Sequence, residues 1–546
     1  MAGAVLVRSA PAWSAPPTLT HLFPAGGQRG EKVKVRCTGN FNWPAKVFAP
    51  GLDVVVAKES GEIEVAIPKD LAVDRAWIRF FNDEGVSAAM PFLIDTLKEI
   101  EEKEPNDAPR TAQALADASV VVNGVLAKAG DVDCFRIRLE VGQRLVAIVD
   151  ANNRLGSPMD AILQITTPEG YVVAENNDDV HLDPRLTFKA SRAGDYIVRV
   201  FAFSSEPNAS IQFSGGPSFV YRLTLTTGPY LTHSLPLSAA AEKPGDIEAA
   251  GINIAPKTNL PVVPFGGGKD ATYHEREDLG LLRLPADSRF GLVFAPNLAG
   301  NSRVRLTPFP VISAIGQTVT TKPIPLPLPC CVTGRLETPK QVDAFALELK
   351  KGQTLLVSAE TNSLGFPFDP ALKLVGPDDA TIASAADVGP NREAFLNHTI
   401  AKDGRYRIEI RDRYRGGGER HVYRLTVRLD EPDFSLTSSS DSVAITTDKG
   451  AELAVKVERR GTIGPITIQA VGLPDGVSCP SITSEPTGPT ASTVKLQFTS
   501  TGSSFSGPIR IVGVAAQPVK LERITQTGPR LGAVFDYVWL TAPAKK

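Results

Sequence analysis

Hydrophobic and polar residues alternate with a period of two through the long segments of this chain. From Asp133, the residues Phe135, Ile137 and Leu139 take one parity, and Arg136, Arg138 and Glu140 take the other. An extended strand sends these sets to opposite faces. Val141-Gly142-Gln143 then turns the chain into the more buried run "RLVAIVDA". "AELAVKVER" from Ala451, "ITIQAV" from Ile466 and "VKLQFTS" from Val494 alternate in the same way. Strands with one polar face predict antiparallel sheets, so the pattern predicts an all-β chain of tandem β-sandwiches. The nearest thing to a helix is "DTLKEIEEKE" from Asp95, which is short and charged. No substantial helix is expected outside it.

The alternating pattern is written twice. "AKAGDVDCFRIRLEVGQRL" from Ala127 answers "ETPKQVDAFALELKKGQTL" from Glu337, and Asp133, Phe135, Leu139 and Gly142 pair with Asp343, Phe345, Leu349 and Gly352 at a constant offset of 210. "VNGVLA" pairs with "VTGRLE", "LGSPMDAILQI" with "LGFPFDPALKL", "AGDYIVRV" with "DGRYRIEI" and "YRLTL" with "YRLTV". Each copy has the size of one β-sandwich. A second repeat precedes each copy: "LTHLFPAGGQRGEKVKVRCTGNF" from Leu19 and the weaker "LTHSLPLSAAAEKPGDIEAAGINI" from Leu231. Both read as immunoglobulin-like modules.

Shifts in composition then divide the chain. Residues 1–17 read as a leader or a disordered tail, with an A-x-A triplet at Ala10 but almost no basic residues before it. Residues 18–100 form an immunoglobulin-like sandwich, 101–229 the first repeated sandwich, and 230–327 a degenerate immunoglobulin-like module. Residues 328–430 form the second repeated sandwich and 431–546 a C-terminal immunoglobulin-like one. "TKPIPLPLP" at 321–329 reads as a semi-rigid spacer.

Composition narrows function mainly by exclusion. The 58 basic residues balance 60 acidic ones, for a net charge of -2, and no basic stripe interleaves with aromatics, which excludes nucleic acid as the expected partner. No apolar run reaches the ~20 residues that span a bilayer. Five cysteines, without a C-x-x-C pair, point neither to zinc nor to a disulfide framework. "HERED" at His274 lacks the second histidine of a zinc protease, "GSSFSG" at 502–507 has the wrong spacing for a nucleophile elbow, and "GGGKD" at 266–270 lacks a phosphate loop's hydroxyl. No catalytic residues are assigned, and the chain is expected not to be an enzyme.

One ordered set of motifs carries a resemblance. "EKEPNDA" at 102–108, "NG" at 123–124, "GDVDCF" at 130–135, "LGSPMDAIL" at 155–163, "ENNDD" at 175–179, "GDYIVRV" at 194–200 and "YRLTL" at 221–225 together resemble the bacterial pre-peptidase C-terminal domain family. The second copy resembles it with its front end worn away. The resemblance implies two jelly-roll-like sandwiches alternating with immunoglobulin-like modules, in a protein that is secreted, periplasmic or on the cell surface. Some members bind calcium through the acidic linker and a ligand on one sheet face, while no protease domain accompanies the modules here.

Calcium takes six to eight oxygen ligands. Extended backbone before Pro105 puts Glu102, Glu104 and Asn106 on one face with Asp107 beside them. Asp131 and Asp133 share the parity of Phe135, so their carboxylates need a metal or backbone amides as partners. The second copy keeps Asp343, but Gln341 replaces Asp131 and "PLPLPCC" replaces the acidic linker. The expected calcium ligands are therefore Glu102, Glu104, Asn106, Asp107, Asp131 and Asp133, in the first copy only, with a solvated acidic linker as the alternative. "NNDD" at 176–179 reads as a hairpin turn. The expected function is a non-catalytic binding protein for polysaccharide or extracellular protein, to which Phe201, Phe203 and Tyr171 would lend exposed aromatics. The alternative is a structural scaffold or spacer of the cell envelope.

Overall fold

The computed structural model describes residues 15–543 apart from 207–211, 266–274, 278–289, 318–321, 387–392, 447–449, 462, 503 and 529. Residues 1–14 of the expected leader or tail, "GGGKD", His274 of "HERED" and Asp387 of the second copy's acidic turn thus lie outside the described residues. Among the described residues the helical elements are a single turn at Asn152–Leu155 and a 3-10 turn at Asn362–Leu364. Everything else regular is strand. The chain is a tandem of β-sandwiches.

Both repeated modules use one strand arrangement. In the first, one sheet runs Glu99–Glu101, Ser119–Val125, Val220–Thr226, Arg144–Asp150, Arg185–Lys189. The other runs Gln113–Ala114, Asp133–Leu139, Gly194–Ser204, Met159–Thr166, Val172–Asn176. The second module reproduces both orders, from Val311–Ser313 to Ala394–Thr399 and from Ile324–Pro325 to Thr381–Ala386. Register is reproduced as well: Phe135 sits opposite Val198, and Phe345 opposite Ile408. Phe135, Ile137 and Leu139 enter the core while Arg138 stays outside, as the alternation requires. The hydroxyl of Tyr196 donates to the Arg192 carbonyl at 3.0 Å, and that of Tyr406 to the Lys402 carbonyl at 2.7 Å, pinning the same corner in each copy.

The immunoglobulin-like modules are also related. Thr18–Phe23 pairs with Lys32–Asn40 through an irregularity between Leu19 and His21, and Tyr230–Leu235 pairs with Asp246–Ile252 through one between Leu231 and His233. Gly39 and Gly251 sit at these bulges, where a Cβ would lie 2.0 Å from the Thr18 or Tyr230 carbonyl oxygen. The duplicated unit is therefore a pair of sandwiches.

Two segments differ from the sequence expectation. Glu99–Glu101, the helix candidate, is an edge strand parallel to Ser119–Val125, because Ile100 packs on the core and Glu99 on a buried arginine. The 321–329 run is not a free spacer: Ile324–Pro325 pairs with Asp343–Leu349, and Val311–Ser313 joins the same module ahead of the boundary expected at 328. An edge strand tolerates proline because one side of it needs no donor.

The modules fold back on one another. Trp77 of the first module meets Phe535 of the last at 5.2 Å between ring centroids, and Phe48 and Phe81 flank Trp539. The buried Arg79 guanidinium binds Asp441 beside this aromatic cluster. Arg303 and Arg154 converge on buried Asp74, and Arg420 grips Asp179 through bonds of 2.7 and 3.1 Å. First and last modules touch, so the arrangement is closed.

Candidate functional site

The acidic cluster assembles where the 102–107 segment crosses the start of strand Asp133–Leu139. The Cys134 amide donates to the Asn106 carbonyl at 3.1 Å, which lays the two segments together. Oxygen atoms of Glu104, Asp131 and Asp133 lie within 4.8 Å of one another. Asp131 and Asp133 are fully buried, and one oxygen of each (Oδ1) has no hydrogen-bond partner. Asn106 is also fully buried, with both of its amide atoms unpartnered. Buried polar atoms in native structures nearly always have partners. Three of these orphaned atoms are oxygens, on Asp131, Asp133 and Asn106, and such atoms could hold a cation.

The second oxygens of Asp131 and Asp133, and one oxygen of Glu104, are committed. Asp131 Oδ2 accepts from the Ala127 amide at 2.6 Å, and Glu104 Oε2 from the Asn106 amide at 2.9 Å. The Tyr221 hydroxyl lies 2.6 Å from Asp133 Oδ2 and 3.2 Å from Glu102 Oε2, and it has one proton to give. Burial, and then the neighbouring Glu102 carboxylate, push the Asp133 carboxyl far above the usual range. Burial and then Asp107 raise Asp131. Glu102 and Asp107 lie at the margin of the cluster, beside Asp133 and Asp131 respectively. Glu102 spends Oε1 on the Val125 amide at 2.7 Å, and Asp107 faces solvent 3.6 Å from Lys128.

The second copy solves the same problem with an amide. Gln341 takes the place of Asp131: its Oε1 accepts from the Glu337 amide at 2.8 Å, and its Nε2 donates to Asp343 Oδ1 at 2.8 Å. The Tyr423 hydroxyl donates to the other oxygen of Asp343. Asp133 and Asp343 therefore share a tyrosine partner, not the turn amides that the sequence suggested. Gly124 and Gly334 permit this, since a Cβ on either would come within 2.3 Å of the tyrosine hydroxyl oxygen. That is the physical role of the repeated "NG" and "TG", which sequence alone left unexplained.

Other expected residues take structural roles. "NNDD" gives Asp179 to Arg420 across a module boundary. Phe201 is buried with Phe213 over Cys134, so it is not the exposed aromatic expected, and Phe203 is half-buried against the same ring. Tyr171 is exposed, as are Val172 and Val173 on the adjoining edge strand. All five cysteines are free thiols.

Sequence reasoning missed a second feature, a cleft of about 320 Å³ where all five modules meet. Its walls include Asp74 from the first module, Asp183 from the second, His233 from the third, Phe366 from the fourth and Leu531 from the fifth. Burial alone would raise Asp74, but Arg303 and then Arg154 hold its carboxyl well below the usual carboxylate range. Asp183 accepts from the amides of Ala151, Asn152 and Asn153 at 2.7–3.2 Å, as Glu393 does from Thr361 and Ser363 in the second copy. Its signal was its position: Asp183 and Glu393 are 210 residues apart, but differ in type.

The sequence matches no family model and no curated protein. Among solved structures, the chain is similar to the pre-peptidase C-terminal domain of collagenase from Bacillus anthracis, at 17% identity over 20% of this chain and 95% of that one, with a TM-score of 0.17. It is also similar to the N-terminal four immunoglobulin domains of Dscam1 isoform 9.44 (8% identity, 97% and 100% covered, TM-score 0.19). A third is a tetra-tandem repeat from the extending region of a large adhesion protein (8% identity, 96% and 99% covered, TM-score 0.14). The chain's own sheets define the class: a multi-module all-β protein.

Proposed function

We propose that this chain is a non-catalytic binding protein that works outside the cytoplasm and recognises polysaccharide or extracellular protein. In this proposal two pre-peptidase C-terminal-like sandwiches are its repeated modules. The observation that carries the binding role is the closed arrangement, which brings one wall from each of five modules to a single cleft. A spacer gains nothing from such convergence. Among the described residues no helix is long and apolar enough to cross a membrane.

Calcium is the cation that the first repeated module fits. Glu104, Asp131 and Asp133 offer carboxylate oxygens close to one another, two of them buried and unpartnered, which suits a hard cation. Bound there, calcium would neutralise facing carboxylates and tie the 104–107 segment to the strand beginning at Asp133. The second module has Gln341 in that role and needs no ion.

An array of glycans and extracellular matrix proteins probed with the full chain tests the binding role. Reproducible signal on a chemically related set of spots is expected. Silence across the array would favour the scaffold alternative.

A further inference from the structure

The five-module cleft carries an inference that deepens the binding role and rests on it. His233 lines the cleft with both ring nitrogens buried and without hydrogen-bond partners. Its ring is held edge-on against Phe366, with centroids 5.2 Å apart and planes at 82°. In the first module the corresponding His21 is satisfied locally, its Nδ1 lying 3.2 Å from the Thr20 hydroxyl. The duplication therefore kept the histidine but enclosed one copy without giving it a partner.

A neutral imidazole presents one donor and one acceptor. Burial, then the nearby Arg335 and Arg420, lower the pKa of His233 to about 4, so at neutral pH the ring is uncharged. Four arginines (Arg75, Arg154, Arg185, Arg303) and four aspartates line the cleft, so their formal charges balance, although burial and then Asp150 raise Asp183 to about 7. Asp74 is already gripped by Arg154 and Arg303, and Asp183 by three backbone amides. Such walls make little demand for an ionic ligand. The buried rings of Phe366 and Tyr230 back this polar rim. The volume falls within the about 300–1,000 Å³ of small-molecule sites.

From these features we infer that the cleft binds a neutral saccharide unit, with His233 donating to one hydroxyl and accepting from another while Phe366 holds the imidazole ring in place. A hydroxyl both donates and accepts, which matches an imidazole that must do both within a charge-balanced pocket. An ionised carboxylate only accepts, and would leave the imidazole's acceptor nitrogen unanswered.

Saturation-transfer NMR on the full chain tests this with glucose, galactose, mannose, N-acetylglucosamine, maltose, lactose, cellobiose and N,N′-diacetylchitobiose, and with glucuronate and inorganic phosphate as anionic probes. The expected result is transfer to at least one neutral sugar, weakened tenfold or more in His233→Phe and less in His233→Gln, which keeps a donor and an acceptor. Circular dichroism of both variants confirms that they fold, and Asn362→Ala gives a second probe of the wall. Transfer to no neutral sugar, preference for the anions, or unchanged binding in His233→Phe would each overturn the assignment. Array binding that survives in His233→Phe would overturn it while leaving the wider binding role intact; an array silent for the wild type sinks that role itself.

Discussion

Gln341 donates its side-chain amide to Asp343 Oδ1 at 2.8 Å, at the position where the first repeat sets the carboxylate of Asp131 against that of Asp133. The surroundings match closely. A tyrosine hydroxyl holds the other oxygen of Asp133 and of Asp343, and the amide four residues before position 131 or 341 binds the residue there. One atom differs in kind: an N–H in the second copy, a bare oxygen in the first. A bare oxygen facing a carboxylate in a buried site requires a proton or a cation between them.

Importing the second copy's solution should therefore stabilise the first copy when no ion is present. Asp131→Gln is expected to raise the chelator-treated chain's unfolding free energy by about 1–3 kcal/mol, the usual cost of an unsatisfied buried polar group. Urea denaturation in chelator checks this. Loss of stability in that variant would show that Asp131 is content as it stands.

The tyrosine is expected to matter in the second copy as a simple hydrogen-bond donor. Tyr423→Phe removes the donor to buried Asp343, and should cost about 1–3 kcal/mol. The variant's pH dependence gives a second readout, since burial raises Asp343 and the Tyr423 bond opposes that rise. Without the bond the carboxyl should rise further. An acid whose folded pKa is raised loses stability as pH climbs through the window between its unfolded and folded values. The variant should therefore lose more stability on going from acid to neutral pH than the parent does.

The sheets were legible from sequence because alternation at Phe135, Ile137 and Leu139 admits only one buried face, and the duplicated phrases follow duplicated sheets strand for strand. Asp131 and Asp133 were legible for the same reason, since parity places them inward. Glu102 and Asp107 were read as equals of Glu104 because an extended segment shares one face. The crossing angle of that segment, which turns Glu102 towards Tyr221 and Asp107 towards Lys128, is a tertiary fact. The cleft was invisible for a stronger reason. Asp74, Asp183, His233, Phe366 and Leu531 come from five modules, and no local pattern records how modules dock.

His233 should shape the acid limb of stability. Burial, and then Arg335 and Arg420, move its pKa from 6.5 in the unfolded chain to about 4. The folded state binds fewer protons in that interval, so stability falls as pH drops from about 6.5 to about 4 and is unaffected by this group above it. His233→Phe is expected to flatten the loss across that window, by up to about 3 kcal/mol. Matching pH profiles for variant and parent would contradict the assignment.

Closure of the five modules depends on the aromatic contact between the first and the last. Trp539 is almost fully buried between Phe48 and Phe81, and Trp539→Ala should cost about 3–5 kcal/mol locally. In solution scattering the variant should show a longer maximum dimension than the parent, as the end modules separate. An unchanged distance distribution would mean that Arg303–Asp74 and Arg420–Asp179 hold the arrangement without it.

The proposed function has the first repeat holding one calcium ion and the second none. Titration calorimetry of calcium into the chelator-stripped full chain tests it most directly. One site per chain is expected, abolished by Asp131→Gln and untouched by Gln341→Ala. Calcium should then raise unfolding stability by about 2.7 kcal/mol at a hundredfold excess over Kd. No binding heat in the parent, a second site, or a site that survives Asp131→Gln would overturn the calcium assignment.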